Sequence, residues 1–117
     1  MANHNQTGKD GEGLALAWLT EKGYQVMHQN WRYGNWEVDF IASKNGRLHI
    51  IEVKTRTSSR FGYPEDNMGK KKMQFLINAA EQYLYIDPQW QQLQFDILAI
   101  SINKGLVEYF LIEEVYL

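Results

Sequence analysis

Hydrophobic and polar positions change period several times along the chain, and the changes predict seven elements. From about Asp10 to Gly23, Leu14, Ala15, Ala17, Trp18 and Leu19 recur at helical spacing, with Gly23 as a C-terminal stop. "YQVMHQNW", from Tyr24, alternates with a weak apolar face and predicts a first strand, which "RYGN" turns. "WEVDFIA", from Trp36, and "RLHIIEVKT", from Arg47, are rich in β-branched and aromatic residues and predict two more strands. Between them, Asn45-Gly46 is a strong hairpin signal, because a type I′ turn needs positive φ at both central residues. "RTSSRFGYPEDN" reads as a loop broken by Gly62 and Pro64. A second helix is predicted from about Met68 to Leu84, carrying Lys72, Phe75, Leu76, Ala79, Ala80 and Tyr83, with Pro88 beyond it as a breaker. "LQFDILAISI" and "LVEYFLIEEVYL" finish as strands around Asn103-Lys104-Gly105. The order is α-β-β-β-α-β-β. It is uninterrupted by repeats, so the expectation is a single domain over residues 1–117, with 1–9 as a flexible tail.

Two of these strands carry charges where burial is costly unless the charges are paired or bind a metal. With Asn45-Gly46 as a two-residue loop, Lys44 faces Arg47, Ile41 faces Ile50, Asp39 faces Glu52 and Glu37 faces Lys54. Alternate residues share a face, so Glu37, Asp39, Glu52 and Lys54 point the same way as Ile41 and Ile50. Like charges directly opposite one another destabilise a hairpin. Two remedies exist. One carboxyl stays protonated, or a divalent cation sits between the two, and hard Mg²⁺ or Mn²⁺ prefers such oxygen ligands. The plainer alternative is a solvated, salt-bridged sheet face, with Glu37 paired to Lys54 or to solvent.

Composition narrows the class. A chain of 117 residues supports one core, and 44% hydrophobic with 22% charged residues argues against disorder. The absence of cysteine excludes disulfides and thiolate metal sites. "MANHNQTGKDGEG" lacks the apolar run of a signal peptide, and no stretch nears the roughly 20 apolar residues of a membrane span. A soluble, cytoplasmic protein without membrane contact is expected. The net charge of −2 hides an asymmetry: Lys54, Arg56, Arg60, Lys70, Lys71 and Lys72 stand against only Glu65 and Asp66 in that span. A local basic face is compatible with a polyanion partner or with a solvated loop and helix end.

Asp39 followed by Glu52-Val53-Lys54 resembles the PD-(D/E)xK nuclease superfamily, although no Pro precedes Asp39. The wider context includes "GEGLALAWL" with Glu12, "KGY", "NWR", "WEVDFIA", "IEVKTR", the helix spacing Met68, Lys72, Leu76, Ala80, and "QFDI". From about Gly11 to Ile100 the chain thereby resembles the bacterial YraN-like family, itself similar to archaeal Holliday-junction resolvases. Trp36, Met68 and Gln94 depart from that family's usual Gly, Val and Arg, and none removes a candidate ligand. The resemblance implies an α/β restriction-endonuclease-like fold, a mixed sheet flanked by helices. It implies a site of Glu12, Asp39, Glu52 and Lys54, with Mg²⁺ (or Mn²⁺) held by Asp39, Glu52 and the Val53 carbonyl. Lys54 would orient or help deprotonate the attacking water. Glu12, in the first helical turn, would reach the cation through a water or a second metal, or is simply an acid favoured at a helix N-terminus.

Lys72 would point toward the scissile phosphate, with Arg56, Lys70 and Lys71 along the nucleic-acid backbone and Arg32 and Arg60 as further contacts. Trp31, Trp36 and Tyr63 are either stacking or core residues. His28 and His49 lack a ligand-spaced partner, and Asp96 has no motif-matching acid beside it. The implied function is a metal-dependent endonuclease acting on DNA, branched or otherwise structured. The alternative is a nucleic-acid-binding module on a nuclease fold without chemistry of its own. The resolvase likeness is compatible with a homodimer, since two strands of a junction need two active sites, although no interface is readable in the sequence.

Overall fold

The computed structural model describes residues 4–57 and 69–115, with side chains from Gly11 onward. Its elements are α1 (His4–Glu21), β1 (Gln25–Tyr33), β2 (Trp36–Lys44), β3 (Arg47–Arg56), α2 (Lys70–Ile86), β4 (Leu93–Asn103) and β5 (Leu106–Ile112). This is the predicted order. Helix α1 begins ahead of the expected Asp10, and α2 runs two residues later than predicted at both ends. Strand β1 continues through Arg32 and Tyr33, so the β1–β2 turn is shorter than "RYGN". Arg60, Tyr63 and Met68 lie outside the described residues.

The Asn45-Gly46 turn forms as its residues demand, with φ of 53° and 77°. Register then follows by counting: Lys44 faces Arg47, Ile41 faces Ile50 and Phe40 faces Ile51. The five strands lie in the order β1-β2-β3-β4-β5. Only β3 and β4 run parallel, joined through α2, and the other pairs are antiparallel. The result is the mixed sheet flanked by helices expected of a restriction-endonuclease-like domain.

The two helices cover opposite faces because each has one apolar stripe to bury. On one face, Met73, Leu76, Ala79, Ala80 and Tyr83 of α2 pack on Val38, Ile41, Leu48 and Ile50. On the other, Ala15 and Leu19 of α1 pack on Phe40, Ala42, Ile51, Leu98 and Ile100. Alternation along β3 therefore sends Ile50 and Glu52 toward α2 and Ile51 toward α1. Among the described residues no helix is long and apolar enough to cross a membrane.

Helix α1 is seated against the end of β3 by a glycine. A Cβ on Gly11 would lie 2.2 Å from Thr55 Oγ1, too close for any real contact. This seam brings the middle of α1, with Glu12, beside the strand that carries Glu52 and Lys54; because α1 begins at His4, Glu12 is not the helix N-terminal acid offered as its alternative role. Gly11→Ala should lower stability by about 1–3 kcal/mol through overpacking. Adding Thr55→Ala should restore most of the loss, and thermal melts of the single and double variants measure both effects. Strict additivity of the two changes would show that this contact is not the cause.

Candidate active site

The β2–β3 ladder ends at Phe40 and Ile51, one rung short of Asp39 and Glu52. Beyond that rung the strands fork. Glu52 Oε2 accepts the Asp39 backbone N–H at 3.1 Å, and Asp39 Oδ2 accepts the Val53 backbone N–H at 2.8 Å. The Val53 N–H would have served the next regular rung, opposite Val38, and the carboxylate takes it instead. The neighbouring strand is irregular at the same level. Asn30, between the Gln29–Phe40 and Trp31–Val38 rungs, has φ of 54°, a conformation Asn tolerates better than most residues.

The carboxylates therefore meet, but through reciprocal side-chain-to-backbone bonds rather than as a regular cross-strand pair. Each spends one oxygen on the backbone, which leaves Asp39 Oδ1 and Glu52 Oε1. Lys72 Nζ, from the first turn of α2, lies 3.0 Å from that Glu52 Oε1. Burial raises the Asp39 pKa from its usual 3.8 to about 7, and repulsion from Glu52 adds to the rise. The Val53 N–H and the Lys72 charge oppose that shift without cancelling it. Lys72 is itself shifted up: burial pulls its pKa down, and the Glu52 carboxylate outweighs that.

This donor set fits a hard divalent cation. Among the described residues no three His, Asp or Glu side chains converge as a cage. Mg²⁺ does not need one, since it is commonly held by one or two carboxylates, water and substrate phosphate. Asp39 and Glu52 retain one oxygen each for such an ion, and their mutual repulsion is only partly offset by Lys72.

Lys54 lies one alternate position past Glu52, half-buried and level with Ala99 of β4. It makes no salt bridge to Asp39 or Glu52, among the described residues, whereas Lys72 does. Glu12 is half-buried at the α1–β3 seam and likewise makes no described hydrogen bond to the two carboxylates. Glu37 does not pair with Lys54. It sits directly across from Arg32 on β1 and forms its ion pair there, because the fork carries Lys54 away from it while the β1–β2 ladder holds Arg32 in place. Arg56 is half-buried further along β3. Lys70 and Lys71 are exposed on the first turn of α2, a turn with no acidic residue and no side-chain cap. Three lysines there oppose the helix dipole, which favours negative charge at this end.

Two groupings escaped the sequence reading. His49 Nδ1 lies 2.7 Å from Asp96 Oδ2, and both residues are buried on the α1 face. Asp96 is thus a partner for His49, brought to it by the parallel β3–β4 register, for which no local sequence signal exists. His49, with Tyr24, Lys44, Arg47, Gln94 and Glu113, lines a polar cavity of about 300 Å³ that does not include the carboxylate pair. The second grouping is aromatic. Trp31, Tyr33 and Trp36 form a row of nearly parallel rings with centroids 6.4 and 6.0 Å apart, the outer two packed on the α2-side core. His28 and Trp31 both meet Tyr83 edge to face.

A family model described as "Uncharacterised protein family UPF0102" matches residues 11–100. Among curated relatives, each described as a UPF0102 protein, one from Flavobacterium johnsoniae is 43% identical over 88% of this chain and 87% of its own. One from Bacteroides thetaiotaomicron is 39% identical over 90% of this chain and 87% of its own. One from Persephonella marina is 38% identical over 83% of this chain and 84% of its own.

Asp39 makes the metal-free protein sensitive to pH. Its folded pKa of about 7 lies above the unfolded value, so the folded state keeps a proton that the unfolded chain loses between about pH 4 and 7. Stability from this group is therefore full below the unfolded pKa and is lost as pH rises through the folded one. In chelator, the melting temperature should fall between about pH 5 and pH 8 in the wild type and fall less in Asp39→Asn. Parallel profiles for the two proteins would remove Asp39 as the cause.

Proposed function

The chain belongs to the uncharacterised protein family UPF0102, and we propose that it is a metal-dependent endonuclease that hydrolyses DNA phosphodiester bonds, in branched or otherwise structured DNA. The fork between β2 and β3 carries this reading. Two carboxylates are anchored there through one oxygen each and keep a second oxygen each for a cation. The order Asp39, then Glu52-Val53-Lys54, together with the mixed sheet, supports a place in the PD-(D/E)xK superfamily.

In this reading Asp39 and Glu52 hold Mg²⁺ or Mn²⁺, with the Val53 carbonyl as a third ligand. When bound, the cation supplies an acidified water and polarises the phosphate. Lys54 orients that water and stabilises the charge that develops on the phosphate oxygens. Glu12 acts through a water from the α1–β3 seam. Lys70, Lys71 and Arg56 hold the DNA backbone, and their local excess of charge, set at a helix end that already favours anions, supports a polyanion partner. A homodimer would supply the two sites that a branched substrate needs.

The Lys72–Glu52 ion pair favours a second reading, a nucleic-acid-binding module on a nuclease fold, because it neutralises one carboxylate without any metal. A panel of branched, flapped, single-stranded and duplex DNAs with Mg²⁺ or Mn²⁺ separates the two. Cleavage is expected, and Asp39→Asn, Glu52→Gln and Lys54→Ala should each lower it by about a hundredfold or more. Salt-dependent binding with no cleavage above the Asp39→Asn background, on every substrate, would leave the binding module.

A further inference from the structure

Resting on that cation site, we propose that Lys72 is a built-in counter-ion. It occupies Glu52 in the metal-free protein, is displaced when a divalent cation binds, and then serves the substrate phosphate. Counting oxygens leads to this. Glu52 Oε2 is held by the Asp39 N–H and Asp39 Oδ2 by the Val53 N–H, so only Glu52 Oε1 and Asp39 Oδ1 remain. Lys72 Nζ already stands 3.0 Å from Oε1. An ammonium and a divalent ion repel one another, and among the described residues no third His, Asp or Glu side chain joins the two carboxylates as a ligand. One must yield.

The lysine is the group able to yield. Its side chain is 41% exposed, against 5% for that of Glu52, so it has a path to water while the carboxylate is fixed in the sheet. Its helix position works in the same direction. Lys72 lies in the first turn of α2, beside Lys70 and Lys71 and with no acid in that turn, at a helix end that disfavours a cation, so its charge is held there by the carboxylates of the sheet, Glu52 first and Asp39 and Glu37 after it. Once released, the ammonium is best placed against an anion. Metal and Lys72 thus compete for Glu52, whereas metal and phosphate help each other, and that coupling is reciprocal. Lys54, which holds neither carboxylate, needs no such release. The two lysines have different duties: Lys54 stays available in both states, and Lys72 couples metal loading to substrate binding.

Direct Mn²⁺ titration followed by the electron paramagnetic resonance of the free ion, without DNA, tests this on the full chain. Lys72→Met and Lys72→Gln should bind Mn²⁺ about tenfold more tightly than the wild type, the usual worth of one charged hydrogen bond. Lys71→Met, which removes the same charge from the same turn without touching Glu52, should change the affinity by less than about threefold. Asp39→Asn should bind weakly in either background. With Ca²⁺ or Mn²⁺ under non-cleaving conditions, metal should strengthen binding of a short DNA more in the wild type than in Lys72→Met. Unchanged Mn²⁺ affinity in both Lys72 variants, while Asp39→Asn still loses it, overturns the displacement and leaves the metal site standing. An equal gain in Lys71→Met also overturns it, by showing that general charge suffices. No Mn²⁺ binding by any variant defeats the metal site itself, and the displacement with it.

Discussion

The structure turns on an exchange of hydrogen bonds between two carboxylates and two backbone N–H groups at the β2–β3 fork. A regular rung would have set Asp39 and Glu52 face to face with nothing to solvate them. Opening the strands gives each carboxylate a backbone donor, and bonds of that charge-assisted type are among the stronger ones in proteins. The exchange is incomplete. One oxygen on each acid remains, and burial with mutual repulsion shows as a raised proton affinity at Asp39. A proton on Asp39, the Lys72 ammonium on Glu52 and a divalent ion are three ways of meeting the same charge. The structure holds the Lys72 contact and the raised proton affinity of Asp39, and the divalent ion is the one that the proposed activity requires.

The opposite face shows what a closed solution looks like. Asp96 is as buried as Glu52, yet it faces the His49 ring at Oδ2 and accepts from the Gln94 amide and the Glu114 backbone at Oδ1. Arg47 continues the set to Gln94 and Glu114. Every partner comes from the chain itself, and together they tie β3, β4 and the segment after β5 into one network. Polar groups satisfied in this way specify packing. The contrast separates three acids on the strands: Asp96 is spent within the fold, whereas Asp39 and Glu52 each keep an oxygen that no backbone donor takes.

Much of this was legible because the informative contacts are local. Asn45-Gly46 dictates its turn, and counting outward brings Asp39 and Glu52 together without knowledge of any other strand. The same counting failed one step on, at Glu37 and Lys54, because it assumed a regular ladder where the carboxylates break it and Arg32 of β1 lies directly across from Glu37. The start of α2 fell two residues later than expected, after Gly69, which offers no side-chain acceptor to fix the boundary.

What the amino-acid order determined by itself was the element sequence, the hairpin register and the presence of two acids and a lysine on one strand pair, all set by short-range backbone preference and two-residue alternation. Only tertiary structure placed Lys72 on Glu52 and His49 on Asp96. Those meetings depend on how α2 packs over the sheet and on the parallel register of β3 with β4. Neither is fixed by a short turn, since a long crossover leaves the alignment to the packing of side chains at the helix–sheet interface.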